Sequence, residues 1–440
     1  MVRRWFPGAL LVALMTVASV NRVVADEPPR TGAEGVNQAF PVPRPEPVDP
    51  PSPADLQAAL TGGVDFLLNV QVHNGAWGSP RRTKGMDVYA PVPGAHHAFR
   101  AATTALCLMA LIESGDSRPE VQRAIQRGQA WWLAHGQQVR RADGVALYNV
   151  WAHAYGIQAL LKMQSRAAGQ QDDSTATREP IQKAIQHQIR MLDRYESVNG
   201  GWGYYDFSYQ LQKPSSIPTC FTTATCLIAL LQARQAGYEV QQRTIQRAVE
   251  AINRQRKADF SYLYSGRHRW YPMFGINRPA GSLGRSQVCN LALRMSGDER
   301  VTDQVLIDWL DRLFARNLWL DIGRKRPIPH ESYFGVAGYF FYYGHYYASL
   351  CIEQLPAAQR PQYQAMMARL LLGLQEKDGS WWDFPLYDYH QPYGTAMAVM
   401  SLIRCRAAEK QAANSSRHAG IPATARPSAP SDARPSAPAD

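Results

Sequence analysis

Two kinds of apolar pattern alternate along the chain. The first is a polar helix with a single apolar stripe. It is announced by "VQRAIQ" at 121–126, "IQKAIQ" at 181–186 and "QQRTIQ" at 241–246, each starting 60 residues after the last. Similar stretches fit 54–71, 301–316 and 358–375. The second kind is apolar on all sides and rich in small residues: 101–112, 151–163, 220–233, 286–295, 344–355 and 393–405. A one-stripe helix belongs at the surface, and an all-round apolar helix needs burial. Six alternations therefore predict six helical hairpins, with the apolar helices forming an inner wall and the polar ones sheathing it. Stacked hairpins often build an open solenoid. Here the inner helices lack a polar concave face, so the pattern predicts a closed ring: an all-α fold, an (α/α)6 toroid or barrel.

The ends read differently. Residues 1–25 carry Arg3 and Arg4, an apolar run at 8–20 and the small-residue site Val23-Val24-Ala25, which reads as a signal peptide of a secreted or periplasmic protein. A retained anchor is the alternative. No later apolar run approaches the roughly 20 residues of a membrane span. Residues 26–53 form a Pro-rich linker. The tail at 407–440 is rich in Ala, Pro and Ser and predicts disorder. The toroid is thus expected over 54–406. Cleavage after Ala25 removes three arginines and lowers the net charge from +11 to +8. That charge is scattered, which argues against nucleic acid. The six cysteines sit in or beside apolar helical phrases and read as buried free thiols.

A shorter repeat sharpens the picture. Gln71 and Trp77 flank "QVHNGAW", Glu196 and Trp202 flank "ESVNGGW", and Gln375 and Trp381 flank "QEKDGSW". Each copy ends an outer helix and enters a loop. The pattern resembles the Gln-Trp repeat of squalene and hopene cyclases, within the terpenoid cyclase and protein prenyltransferase superfamily, and covers most of 54–406. The resemblance implies the toroid fold and a structural role for the six residues: the Gln ties a helix end to the next repeat, and the Trp stacks beneath it.

It implies less about chemistry. The Asp-x-Asp-Asp motif of class II cyclases is absent, and Asp172-Asp173 lies in a connector on the wrong rim. The Asp-Cys-Thr-Ala-Glu motif and the complement-type thioester motif are absent too. His390 matches a prenyltransferase zinc-ligand position without its Asp-x-Cys partners, so no metal and no cofactor are expected.

Long aromatic loops at 200–218, 259–285 and 378–392 should all emerge on one rim, above the inner-helix N-termini. There the sequence gathers polar residues: His96, His97, His153, Asp206, Arg285, His345, Asp388 and His390. Asp206, Asp388 and His390 are the candidates for acid–base work. Tyr204, Tyr205, Trp270, Trp382, Tyr387, Tyr389 and Arg285 are the candidate ligand-binding residues, with Arg285 or Arg267 expected to pair with the aspartates. The sequence thus points to a secreted prenyltransferase/squalene oxidase repeat-containing protein. It would be a binding or interaction module for a small molecule, lipid or glycan. The alternative is a divergent cyclase-like or polysaccharide-active enzyme.

Overall fold

A computed structural model describes residues 41–84, 92–169, 175–215 and 217–406, without the side chains of 175–177. The expected leader, most of the linker, the tail and Asp172-Asp173 lie outside the described residues.

Within these bounds the chain is helical, with isolated β-bridges and no strand. Six outer helices precede six inner ones in strict alternation. The outer set is α1 (Pro53–Asn69), α3 (Pro119–His135), α5 (Thr175–Tyr195), α7 (Gln242–Asn253), α9 (Asp303–Ala315) and α12 (Arg360–Leu372). The inner set is α2 (Pro93–Ser114), α4 (Asn149–Gly169), α6 (Cys220–Gln235), α8 (Leu283–Met295), α11 (Phe340–Gln354) and α13 (His390–Ile403); a short α10 (Leu318–Asp321) follows α9. Each inner helix packs on the next, and α13 packs back on α2, so the ring closes. The expected (α/α)6 toroid is the observed fold.

The inner helices are buried almost all round, as in the unbroken stretch Ala101 to Leu111 of α2. By length and composition α2 could cross a bilayer. Its burial comes instead from its neighbours in the wall. Outer helices bury one face, such as Ile245, Ala248 and Ile252 of α7.

The Gln-Trp turns rivet the two layers. Gln71 donates to the carbonyls of Gly75 and of Ala124 on α3, both at 2.9 Å, while the Trp77 indole donates to Leu67 at the end of its own helix, at 2.8 Å. Gln375 repeats this with Gly379 and Ala59, and Trp381 with Leu371. In the third copy Glu196 meets Arg247 of α7 at 2.7 Å, an ion pair where the others use an amide, and Trp202 donates to Leu192. All three indoles are fully buried. Each turn needs a left-handed residue, supplied by Gly75, Gly200 and Gly379 at φ +96°, +81° and +86°.

A fourth copy, unreadable as a motif, spans Arg256 to Tyr262. Lys257 donates to Ser261 and Phe260 to Lys257, the same bonds that Val72 and Gly75 make in the first turn. Phe260 takes the glycine's place at φ +58°. In all four turns the backbone N–H of the Trp or Tyr is capped by a hydroxyl of the next inner helix or of the residue just before it: Thr104, Thr223, Ser282 and Thr395.

The connections are unequal, as the sequence predicts. At the C-terminal ends of the inner helices they are short, and partly buried charge is matched there. Arg404 donates to Glu113 at 2.6 Å and to Glu353 at 3.1 Å, and Lys162 meets Glu113 at 2.7 Å. The cysteines are free, and all but Cys405 are buried.

Candidate functional site

At the opposite end the long loops rise over the inner-helix N-termini. Here the inner wall turns aromatic. Phe99 of α2, Trp151 and Tyr155 of α4, Phe221 of α6, Phe340 and Tyr343 of α11, and Tyr393 of α13 all face the barrel axis, joined by Ala102, Thr103, Leu106 and Met397. The loops add Tyr148, Tyr204, Tyr205, Tyr339, Phe384, Leu386, Tyr387 and Tyr389, with Lys84, Pro329 and His330. Together they line a cavity of about 400 Å³, within the roughly 300–1,000 Å³ range of small-molecule sites.

The hydroxyls of this cage are spent on protein partners. Tyr148 and Tyr205 hydrogen-bond to each other, as do Tyr204 and Tyr264. Tyr343 donates to the Phe221 carbonyl at 3.1 Å and pairs with Thr225 at 2.9 Å. Tyr389 donates to the His96 carbonyl at 3.2 Å, and Tyr339 pairs with His330 at 3.1 Å. What remains for a ligand is ring faces: Phe221, for example, packs edge-on to Tyr264, Phe340 and Tyr343 at 5.2, 5.0 and 6.4 Å. Burial raises the phenol pKa values of Tyr148, Tyr155, Tyr204, Tyr339 and Tyr343, so all stay neutral at ordinary pH. Among the described residues no carboxylate lines the cavity.

One carboxylate stands directly behind it. Asp383 is fully buried and accepts from the Tyr393 hydroxyl and from the Tyr342 backbone N–H, the latter at 3.0 Å. Burial pushes its pKa up to about 7, against the lowering effects of those two hydrogen bonds and Arg324. Tyr393 is therefore a cavity wall residue with a near-neutral acid at its back.

Tyr204, Tyr205, Tyr387 and Tyr389 of the expected set line this cavity. The other expected residues are placed elsewhere. Asp206 is 0% exposed and accepts from the Ser215 N–H at 3.1 Å, the Ser215 hydroxyl at 2.9 Å and Arg141 at 3.3 Å. Burial works against its charge, but the Ser215 bonds and Arg141 outweigh it and hold the carboxyl below its ordinary value. Asp388, 32% exposed, accepts from Arg81 at 2.9 Å and Ser79 at 3.0 Å. The aspartates thus pair with Arg141 and Arg81, not with Arg285 or Arg267, and each staples two loops together.

His390 sits with Nδ1 2.6 Å from the Tyr387 carbonyl and its ring edge-on to Trp382 at 5.1 Å; burial lowers its pKa. Trp382 lies against Lys325 at 4.5 Å, outside the cavity lining. Arg285 is buried and spends its guanidinium on the carbonyls of Tyr262, Gly281 and Ile276, so it anchors a loop. Trp270 is 70% exposed, away from the cavity. The expected triad of Asp206, Asp388 and His390 is not brought to one ligand.

The remaining rim histidines are bonded within the fold. His153 meets Gln188 at 2.5 Å, and His345 meets Asn317 at 2.7 Å. Burial lowers both to about 4. Among the described residues no cluster of His, Cys, Asp or Glu has the make-up of a metal site.

The residues that sequence reasoning missed are those on the inner helices. Their signal was present: Trp151 and Tyr155 are four apart, and Phe340, Tyr343 and Tyr347 follow helical spacing, an aromatic stripe inside phrases read only as apolar.

No family model and no curated protein matches the chain. Solved structures do. An inactive variant of GH76A, an α-1,6-mannanase of Salegentibacter sp. HEL1_6 in complex with α-1,6-mannotriose, superposes with TM-score 0.50 at 11% identity, covering 80% of this chain and 98% of that one. The type II terpene cyclase MstE from Scytonema gives 0.43 at 14% identity, over 80% and 98%. A D-mannose isomerase gives 0.48 at 12%, over 80% and 97%. At these identities the likeness is one of fold, the α/α toroid.

Proposed function

We propose that the barrel is a binding site for a compact apolar molecule of isoprenoid-like or polycyclic character, held in the aromatic cage. The observation that carries this is the cavity wall: mostly aromatic rings with aliphatic side chains among them, tyrosine hydroxyls paired within the protein, and no carboxylate among the described lining residues. A sugar needs several unspent donors and acceptors to replace its lost water, because an unpaired buried polar group costs about 1–3 kcal/mol. The cage offers few, which favours a lipid-like ligand over a glycan. The leader expected at 1–25 would place that binding outside the cytoplasm, in secreted or periplasmic form.

The test is a calorimetric titration of the purified protein with geraniol, farnesol, geranylgeraniol and, in parallel, short mannose oligosaccharides. Saturable binding of one or more isoprenoid alcohols and none of the sugars is expected. The reverse pattern would sink the reading.

A second reading is favoured by Asp383. Protonated Asp383 would give its proton to the Tyr393 hydroxyl oxygen as Tyr393 passes its own to a substrate in the cavity, leaving Asp383 ionised. This moves the enzyme alternative away from Asp206, Asp388 and His390. Asp383→Asn should then abolish turnover of a bound ligand without abolishing its binding; equal turnover in both proteins would rule it out.

A further inference from the structure

Beside the mouth of the cage lies an exposed aromatic loop that the site does not use. Trp270, Tyr271, Met273 and Phe274 are 70, 56, 69 and 58% exposed, and Tyr333 of the neighbouring loop is 77% exposed. Isolated surface aromatics are ordinary; several in sequence on one face signal an interaction surface. Tyr271, Phe274 and Tyr333 are also joined in space. Phe274 packs on Tyr271 at 5.3 Å, and Phe274 and Tyr333 line the two sides of one groove. His330 lines both that groove and the central cavity, so the groove adjoins the cage.

The charge around the loop is of one sign. Between Asp259 and Asp298 the chain contains no Asp or Glu and carries five arginines. Arg267, Arg269 and Arg278 are exposed, and none of them pairs with a carboxylate among the described residues. Arg269 lies 4.7 Å over the Trp270 ring, and Arg278 donates to the Met273 carbonyl at 3.1 Å, so both cations sit at the base of the aromatic tips.

Tryptophan and tyrosine favour the headgroup level of a bilayer, where an amphipathic ring keeps one edge wet. Arginine at the same depth is drawn to anionic headgroups. Nucleic acid would call for a groove-length basic track with aromatics positioned for stacking. A second copy of this chain would set the three arginines against themselves. We propose that the loop at 266–278, with Tyr333, docks the protein peripherally on an anionic lipid bilayer, with its aromatic tips at headgroup depth. The docking does not depend on what the cavity binds.

The test uses the full mature chain in vesicle co-sedimentation, with phosphatidylcholine alone or mixed with phosphatidylglycerol. Partition onto the anionic vesicles is expected to exceed that onto the neutral ones, and to fall with added salt. Trp270→Ser with Phe274→Ser, and separately Arg267→Glu with Arg269→Glu, should each weaken it about tenfold or more. Circular dichroism and isoprenoid binding should be retained, because these side chains point to solvent away from the cage. Three results would overturn the proposal: no partition, partition that neither variant changes, or a patch-dependent dimer in sedimentation velocity that accounts for the loss. Failure of isoprenoid binding with vesicle docking intact would count only against the cage reading.

Discussion

The two ends of the barrel are built from the same helices and treat polar groups in opposite ways. At the C-terminal end of the inner helices, short turns leave no room for decoration, and partly buried charges meet one another: Arg404, Glu113, Glu353 and Lys162. Arg404 and Lys162 draw the Glu113 pKa down to about 2 against the opposing pull of burial. At the N-terminal end, long loops consume the polar groups one by one, and the axis is left to aromatic rings. One end is sealed by matched charge; the other is a cage whose polar residues mostly hold the loops in place. A conspicuous Asp or His at a rim is therefore a weaker pointer to chemistry than the wall it stands beside.

The comparison can be broken by substitution, and the largest effect belongs to a Gln-Trp turn beneath the cage rim. Trp381→Ala removes a fully buried indole that ties α12 to the ring closure, and should cost about 3–5 kcal/mol in chemical denaturation. Next, Arg404→Met leaves Glu353 without its cation and Glu113 with Lys162 alone, and should cost about 2–3 kcal/mol; a change below about 1 kcal/mol would mean the sealed end is solvated. The rim aspartates should separate from each other. Asp206→Asn, losing ionic bonds at a buried site, should cost roughly 1–3 kcal/mol. Asp388→Asn, half open and paired with exposed Arg81, should cost less than about 1 kcal/mol. Equal losses would erase the distinction drawn between them.

The pH dependence of stability separates the buried histidines from the buried carboxylate by sign. His153 and His345 have folded pKa values near 4, below the ordinary 6.5, so their neutral forms contribute stability that is full above 6.5 and falls as pH drops toward 4. Asp383 runs the other way. Its folded value near 7 lies above the ordinary 3.8, so its contribution declines as pH rises from about 4 to 7. Asp383→Asn should therefore make stability climb more steeply with pH across this window, while His345→Gln should flatten it. Melting curves between those limits check both signs.

Much of the fold was legible because it rests on spacing. The alternation of one-stripe and fully apolar helices needs only periodicity, and the Gln-Trp turns announce themselves because a buried indole and a left-handed glycine are hard to replace. The fourth turn was invisible for the complementary reason. Phe260 adopts the glycine's conformation, and Tyr262 replaces the tryptophan, so the backbone geometry persists without its letters. At the site, the loop tyrosines reach the cavity wall because loops on one rim converge whatever their details. Asp206, Arg285 and Trp270 were misjudged because their roles depend on which way a side chain turns, and only tertiary contacts decide that. Asp383 was missed because nothing local marks a carboxylate that burial will hold near neutrality.

The central claim is that the cage itself takes an apolar ligand. It is tested most directly by filling it. Ala102 lines the cavity from α2, and Ala102→Phe would place a ring in the space the ligand needs. Farnesol titrated into both proteins should bind the wild type saturably and the variant at least about tenfold more weakly, with the helical circular dichroism unchanged. Equal binding by the two proteins, or no isoprenoid binding by the folded wild type, would contradict the account.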